Sequence, residues 1–511
     1  ITDAILFHVT FHLQPLPLIK NHTGNCHMKT FTINNSTIIN GIALGFSAAF
    51  LLASLAGAVY TGEWGQVFHN WYLILISPCP LVTDYYAMGG LASTMLNAAA
   101  CGLACFLFMV FLKGQSRANT LAGYFLVVAH CFYGLNFFNM WPPFLAVFVY
   151  LRRKKLDFKK NLHICMFATS FGPFISELMF RYTQGHRFVL GQVHLTLSGI
   201  LLTAAFSLML GFLIPAVLPG AHAWHKGYNL FNGGLAVGML GFFLFNFLYR
   251  TMGFHSHGSV ARENLIYTRF GHSYSLFANL FFLAIFLVCL LTGWLLNGKS
   301  FDGLDHLVKD TGYSSDFADK YGMPLCLINI ACHGSLFLLY LNLIIRFTEG
   351  SGFTGPTVGV VFAALTFTAM GQHPKNVWPL LFGYQLLSLV VSLVCTAAGT
   401  EIPWSLSTQS YINSAAFATG LCPIVGRYGI RAGIAAGFMC ASLCTSTNAL
   451  HGGLILYNGG LTTGVTALIL LPILEHYIPK PRKEMKNLTI NMYDMLTLIT
   501  GLSSKQDGKQ P

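Results

Sequence analysis

The sequence predicts an all-α fold, a polytopic bundle of transmembrane helices built from two homologous and inverted repeats. Three observations support this prediction. The charge content is far below that of soluble domains, apolar stretches recur along the whole chain, and four blocks of polar and glycine residues occur twice in the same order.

The composition indicates that most of the surface faces lipid. Of 511 residues, 54% are hydrophobic and only 9% are charged, whereas about a quarter of the residues in a soluble domain are charged. We therefore expect the lipid bilayer as the main partner. The formal net charge of +12 is assigned to loops rather than to nucleic-acid binding, because the basic residues cluster between apolar stretches.

Apolar stretches long enough to cross a bilayer occur from one end of the chain to the other. Examples are residues 42–59, 200–218 and 276–296, since about 20 apolar residues in a helix cross a hydrocarbon core of about 30 Å. Counting such stretches predicts about 12 to 14 spans, some of them short or re-entrant.

Four recurring blocks predict the two halves. In the clearest block, His225 and Asn232 match His451 and Asn458, each pair 226 residues apart. The other three blocks include the pairs Asp84 and Asp316, Asn97 and Asn329, Asn139 and Asn376, and Pro173 and Pro423.

The blocks also divide the chain. We expect a first transmembrane repeat at residues 37–250 and a second at 272–478, joined by a linker loop at 251–271. Residues 1–36 form an N-terminal segment, and 479–511 form a polar C-terminal tail. The first half contains extra residues, which we place around Arg181 to Val193.

Loop charges favour inverted over parallel repeats. The loop at 152–160 carries six basic residues, whereas the corresponding region, 389–410, contains Glu401 and no Lys or Arg. Short basic loops face the cytoplasm. We therefore expect Lys155, the C-terminal tail and both termini to be cytoplasmic, and Glu401 to be extracytoplasmic.

Three segments of the second half resemble a known family. They are residues 355–376, residues 417–424 with the sequence Phe-Ala-Thr-Gly-Leu-Cys-Pro-Ile, and residues 450–460 with the sequence Leu-His-Gly-Gly-Leu-Ile-Leu-Tyr-Asn-Gly-Gly. This family of bacterial membrane proteins is catalogued as domain of unknown function 1576. The resemblance covers most of the chain from Thr37 to His476 and implies a multi-pass protein of the bacterial inner membrane. It brings no established substrate or catalytic residue.

The paired Asn-Gly-Gly motifs are the leading candidate for a binding site. Adjacent glycines weaken a helix by about 1 kcal/mol each, and many inverted-repeat transporters bind substrate at helix interruptions. Alternatively, the glycines permit close helix packing while Asn and His bond between helices. The candidate substrate-binding residues are His225, Asn232, Gly233 and Gly234 in the first half and His451, Asn458, Gly459 and Gly460 in the second.

Three acidic residues are candidates for binding a coupling ion or proton. Asp84 and Asp316 each lie where an apolar stretch begins, so each is also a candidate helix cap. Glu177 lies in an apolar run, and the third block places it opposite Arg427. Glu177 or Arg427 could be a functional ionisable residue at membrane depth, or its side chain could extend to the membrane interface. Asn97 and Asn329 are more typical of hydrogen bonds between helices.

The sequence favours a transporter among three classes of function. We find no nucleotide-binding phosphate loop, zinc-protease motif or hydrolase elbow in a suitable context, and we predict no cofactor and no metal. The leading hypothesis is a secondary transporter or facilitator for a small solute or ion. The alternatives are a membrane enzyme acting on a lipid-soluble substrate, with an acidic or histidine side chain as acid or base, and a passive channel. A homo-oligomer is compatible with the sequence.

Overall fold

The computed structural model describes residues 34–111, 115–180, 191, 193, 195–253, 274–346, 352–402 and 408–485. These residues form helices and connecting turns, and no β-strand occurs among them. The N-terminal segment, most of the predicted linker, most of the C-terminal tail and most of the stretch from Arg181 to Val193 lie outside the described residues.

The helices fall into two series that follow one another along the chain. The first series is α1 (Asn35–Thr61), α2 (Val67–Ile76), α3 (Tyr85–Phe111), α4 (Ala118–His130), α5 (Trp141–Arg153), α6 (Phe158–Ala168), α7 (Gly172–Phe180), α8 (Leu197–Trp224) and α9 (Asn232–Phe245). The second series is α10 (Ser275–Leu296), α11 (Leu304–Leu307), α12 (Phe317–Tyr321), α13 (Met323–Arg346), α14 (Gly355–Leu365), α15 (Pro374–Ala398), α16 (Gln409–Ala418), α17 (Cys422–Tyr428), α18 (Ile430–Leu450) and α19 (Asn458–Tyr477).

Ten helical segments of the described chain are long and apolar enough to cross a membrane. One of them joins α6 and α7 through a short 3₁₀ turn, and another extends α9 to Thr251. The sequence predicted about 12 to 14 spans. The difference arises from short helices such as α4 and α5, of 13 residues each, and α14, of 11. At 1.5 Å per residue these reach only about 16 to 20 Å.

Exposed apolar stripes mark the surfaces that face lipid. On α10, Leu276, Leu280, Leu283 and Leu287 are 54% to 66% exposed, and their spacing of three or four residues places them on one face. The other face of α10 is buried at Phe282 and packs into the bundle. Such a stripe is unfavourable in water and suits hydrocarbon.

Two short helices lie at the centre of the bundle. Every residue of α14 is buried, and so is α4 from Thr120 onward. A Cβ on Gly355 would lie 2.9 Å from the carbonyl oxygen of Phe132, and one on Gly359 would overlap the carbonyl oxygen of Ala129. A later residue of α14 thus contacts an earlier carbonyl group of the α4 segment, as expected if the two helices run antiparallel.

Helices α9 and α19 pack in the same manner. Lys226, just before α9, forms an ion pair of 2.8 Å with Glu475 near the end of α19. Farther along α9, a Cβ on Gly238 would lie 2.6 Å from Leu461, at the start of α19. These two helices are therefore also antiparallel.

Candidate functional site

The two Asn-Gly-Gly motifs begin α9 and α19, and their glycines meet. A Cβ on Gly234 would overlap the Cα of Gly460, and one on Gly460 would lie 2.6 Å from the Cα of Gly234. Gly233 and Gly459 instead face phenylalanine rings. The motif thus allows two helix backbones to approach closely near their first turns, as the packing interpretation requires.

The His and Asn side chains of the two motifs differ in their hydrogen bonds. Nε2 of His451 lies 3.1 Å from Oδ1 of Asn458. In the first half, Nδ2 of Asn232 lies 3.3 Å from Nδ1 of His222, while Nε2 of His225 and Oδ1 of Asn232 make no hydrogen bond of standard geometry among the described residues. The two motifs therefore differ in geometry, although the Asn232 side chain also interacts with the His225 ring.

Both histidines lie in tight turns that precede the helices. Burial lowers the pKa of His225 and of His451 to about 4 in each case, so both rings are neutral near pH 7. Gly227 and Gly453, two residues later, have φ angles of +79° and +74°. The glycine of the His-x-Gly element is thus required by a left-handed backbone conformation.

Asp84 and Asp316 bind backbone N–H groups in different ways. Oδ1 of Asp316 accepts from Asp319 N at 3.0 Å and caps its own short helix α12. Oδ1 of Asp84 accepts from Tyr86 N at 2.9 Å and also from Gly355 N at 3.1 Å. The second bond caps α14, a helix of the other half. Asp84 is therefore a cap, as one interpretation predicted, and it joins the two halves.

Glu177 is buried in α7, at 4% exposure. Arg427, its counterpart in the repeat, lies at the end of α17 with its guanidinium carbon 4.9 Å from the centre of the Tyr313 ring. The two residues therefore occupy different surroundings.

Asn97 and Asn329 hold the backbone that follows the two central helices. Nδ2 of Asn97 donates to the carbonyl oxygens of Cys131 and Leu135 at 2.9 and 3.0 Å. Nδ2 of Asn329 donates to those of Thr368 and Gln372 at 2.8 and 2.7 Å. We name these irregular segments the first tip (residues 131–140) and the second tip (residues 366–373).

The loops before α9 and α19 each bond to the opposite half. Leu230 N donates to Gly420 O at 2.9 Å, and Leu456 N donates to Ser170 O at 3.0 Å. Both acceptors lie in the 3₁₀ turns that divide the kinked helices, Thr169–Phe171 and Thr419–Leu421. Each tip is thus close to a loop and a turn that come from different halves.

A polar cluster surrounds the first tip, and sequence reasoning missed it. The His130 ring centre lies 5.1 Å from that of Tyr133 and 5.3 Å from that of Tyr457. Its Nε2 lies 3.1 Å from Leu456 O, next to the bond between Leu456 and Ser170. We name His130, Tyr133, Ser170 and Tyr457 the central cluster; each is at most 2% exposed.

The central cluster contains hydrogen-bonding groups that are not used. The hydroxyls of Tyr133, Ser170 and Tyr457 have no partner among the described residues. Both ring nitrogens of His130 face carbonyl oxygens, Nδ1 at 2.6 Å from Leu126 O. A neutral ring donates to only one of these oxygens and a protonated ring to both. Burial favours the neutral ring, so the unused groups of the cluster are the three hydroxyls, each of which can form a hydrogen bond to a polar group.

A comparison of the halves would have revealed this cluster. The equivalent residues around the second tip are Phe367, Met370, Gly420 and Phe231, which carry no polar side-chain group. The repeat search looked for identical residues, whereas the signal is a polar residue in one half opposite an apolar residue in the other. Among the described residues, no group of His, Cys, Asp or Glu is arranged to hold a metal ion.

Comparisons with known proteins identify a family. A family model described as protein of unknown function (DUF1576) matches residues 63–250 and 296–476. The unmatched residues between these two regions, 251–295, include nearly all of α10. No curated protein and no solved structure matches the chain.

Proposed function

We propose that this chain, which belongs to the DUF1576 family of proteins of unknown function, is a secondary transporter or facilitator for a small polar solute. The central cluster is the proposed binding site. The proposal treats the two halves as inverted repeats and the tips as interruptions near the middle of the membrane.

The unpaired hydroxyls of the central cluster carry the proposal. A buried polar group without a hydrogen-bond partner costs about 1 to 3 kcal/mol. The apolar interior of a membrane protein offers few other groups that could serve as that partner. Irregular backbone at membrane depth is tolerated where protein buries it or where it lines a polar cavity. Three such hydroxyls beside one irregular tip are accounted for by a solute or water that completes their hydrogen bonds.

The antiparallel packing of equivalent helices supports inverted repeats. Helices α4 and α14 occupy equivalent places in the two series, as do α9 and α19. A two-fold axis that makes equivalent spanning helices antiparallel must run across them, in the membrane plane. Transporters with this symmetry bind solute near the midplane at helix interruptions, which is where the tips would lie.

The charged ends of the bundle support a cytoplasmic tail. Met485 N donates to Lys309 O, so the start of the tail packs against the loop at 297–320, which carries three Lys and five Asp. Tyr313 of this loop donates from its hydroxyl to Lys226 O, just after α8, at 3.0 Å. At the start of α8, a Cβ on Gly199 would lie 2.8 Å from a carbonyl oxygen near the end of α7, which favours a position near the end of α8 for the start of α6 and the basic loop before it. Basic loops face the cytoplasm.

Cysteine labelling tests this topology. Single cysteines at positions 155 and 401, in a background without the native cysteines, are treated in intact cells with a thiol reagent that does not cross membranes. We expect labelling at 401 and none at 155 until the cells are permeabilised. Equal labelling at both positions would contradict inverted repeats.

Transport is tested with purified protein in liposomes. A panel of labelled small polar solutes is offered with an imposed proton or sodium gradient, and protein-free liposomes serve as the blank. Gradient-dependent accumulation of one class of solute supports the proposal. Conductance that is independent of a gradient would favour a channel, and chemical turnover in detergent would favour a membrane enzyme; either result would replace the proposal.

A further inference from the structure

The carboxylate of Asp84 lies where the two halves meet, outside the central cluster. Its backbone bonds, described above, join the start of α3 to the start of α14. Tyr85 N donates to Phe132 O at 3.2 Å, and a Cβ on Gly359 in α14 would lie 2.8 Å from the Tyr133 ring. Asp84 is therefore connected to the central cluster in two ways, through the hydrogen bond of its neighbour Tyr85 to Phe132 and through the packing of α14 against Tyr133.

The titratable groups around Asp84 carry negative or no charge. Asp84 interacts with Tyr86 from α3 and with Tyr274 from the residue before α10, and Tyr274 in turn interacts with Glu63 and Tyr60 at the end of α1. From α14 the described contact is the backbone N–H of Gly355. The described residues place no basic side chain among these interactions.

Two unpaired groups indicate that the region binds something further. Tyr86 is 7% exposed, and its hydroxyl has no hydrogen-bond partner in the part of the chain that the structure describes. Its ring packs edge-on against Tyr274 at 5.4 Å, beside Asp84. Oε2 of Glu63 is likewise buried with no partner among those residues, and the carboxylate rests against Gly90, where a Cβ would lie 2.6 Å away.

We propose that Asp84 is the coupling-proton site of this transporter and that its protonation state sets the position of α14 and the first tip. This inference rests on the proposed function for its role in coupling. A proton from water adds to the carboxylate, and the neutral acid then holds the Gly355 N–H less strongly, because an ionised acceptor forms a bond roughly twice as strong. The negative charge at the N-terminus of α14 is lost in the same step.

The chemistry of the site suits a proton. Burial raises the pKa of the Asp84 carboxyl to about 6, against the opposing effect of its backbone N–H bonds. The group is therefore ionised at pH 7.5 and protonated at pH 5. Asp316, its counterpart, caps only its own helix and faces Arg117, which makes Asp316→Asn a matched control.

Hydrogen exchange tests the proposal without any solute. Exchange of residues 355–365, corrected for the intrinsic effect of pH, is compared at pH 5 and pH 7.5 in the full chain. We expect exchange at the first turn of α14 to be roughly fivefold faster at pH 5, because the charge-assisted bond is lost. Asp84→Asn should exchange quickly at both values, and Asp316→Asn should behave as wild type.

A second variant guards against misfolding of the first. Glu63→Gln leaves Asp84 and its bonds to Tyr86 N and Gly355 N in place and should keep the pH dependence of residues 355–365, whereas loss of the dependence in this variant would assign the transition to Glu63. If exchange of these residues does not depend on pH in the wild type, or if Asp316→Asn abolishes the dependence equally, Asp84 is not the site. A positive result with no solute uptake would preserve the proton site and reject transport instead.

Discussion

Removing the hydroxyl of Tyr457 should leave stability intact while it weakens solute binding. Tyr457→Phe deletes one oxygen that is buried and has no hydrogen-bond partner among the residues that the structure describes. The variant loses no hydrogen bond within the described residues. It also no longer buries an unpaired polar group, which costs about 1 to 3 kcal/mol in the folded state. We therefore expect the free energy of unfolding to be unchanged or raised.

Tyr384→Phe is the matched control. Its hydroxyl is equally buried but lies 2.6 Å from Ser414 Oγ and 3.2 Å from Cys440 Sγ. Loss of a bonded hydroxyl within a membrane protein averages about 0.6 kcal/mol, with about 1.5 kcal/mol as an upper value. The two variants remove the same atom, so a difference between them reports the partner and not the volume.

Unfolding in mixed detergent measures the stability of both variants, and liposome uptake measures their affinity for the solute. If the solute accepts or donates one hydrogen bond at Tyr457, the apparent affinity should fall about 2- to 13-fold, the equivalent of about 0.5 to 1.5 kcal/mol. The reasoning is refuted if Tyr457→Phe destabilises the protein as much as Tyr384→Phe does. In that case the central cluster would be packing and not a site.

The other predictions concern the repeated motifs. Gly234→Leu should lower the free energy of unfolding by at least about 1 to 3 kcal/mol, since the side chain meets the backbone of Gly460; unchanged unfolding would disprove the close contact. If the Asn-Gly-Gly motifs bind solute as the sequence predicts, Asn232→Leu and Asn458→Leu should abolish uptake in the liposome assay while changing stability by only about 0.6 kcal/mol each; a stable double variant with full uptake would leave the central cluster as the site. Asn97→Leu should lose about 1 to 3 kcal/mol of stability, because two carbonyl groups of the first tip lose their donor; hydrogen exchange at residues 131–140 should rise, and protected amides there would contradict this role.

The membrane class and the helical fold were accessible from the sequence alone. Both depend on composition and on the length of apolar runs, which act locally and need no knowledge of the neighbours. The family was likewise recognisable from its glycine-rich segments around Asn458, and the family model confirms it. The number of full spans was harder to predict. The sequence of an apolar run such as that of α14 does not distinguish a helix that crosses the membrane from one that ends near its centre.

The hydrogen-bond partners of the repeated polar residues could not be predicted from local sequence pattern. Asn97 and Asn329 were expected to bond between helices; Asn97 does so through Trp71 of α2 at 3.4 Å, and both residues also hold the two tips. Asp84 and Asp316 occupy equivalent positions in the repeat, six residues before a matched glycine. Among the described contacts, Asp84 caps a helix of the opposite half and Asp316 caps its own. That difference depends on contacts between residues more than 200 positions apart in the chain.

Only the tertiary structure brought the central cluster together. His130 and Ser170 belong to the first half and Tyr457 to the second, and each differs from its counterpart in the other half, although Ser170 and Tyr457 stand inside repeated blocks. Their proximity follows from the crossed loops, in which each half bonds to the kinked helix of the other. A sequence determines which groups must avoid lipid, whereas the packing of distant helices decides which buried polar groups find partners and which, such as the three hydroxyls of the central cluster, find none among the described residues.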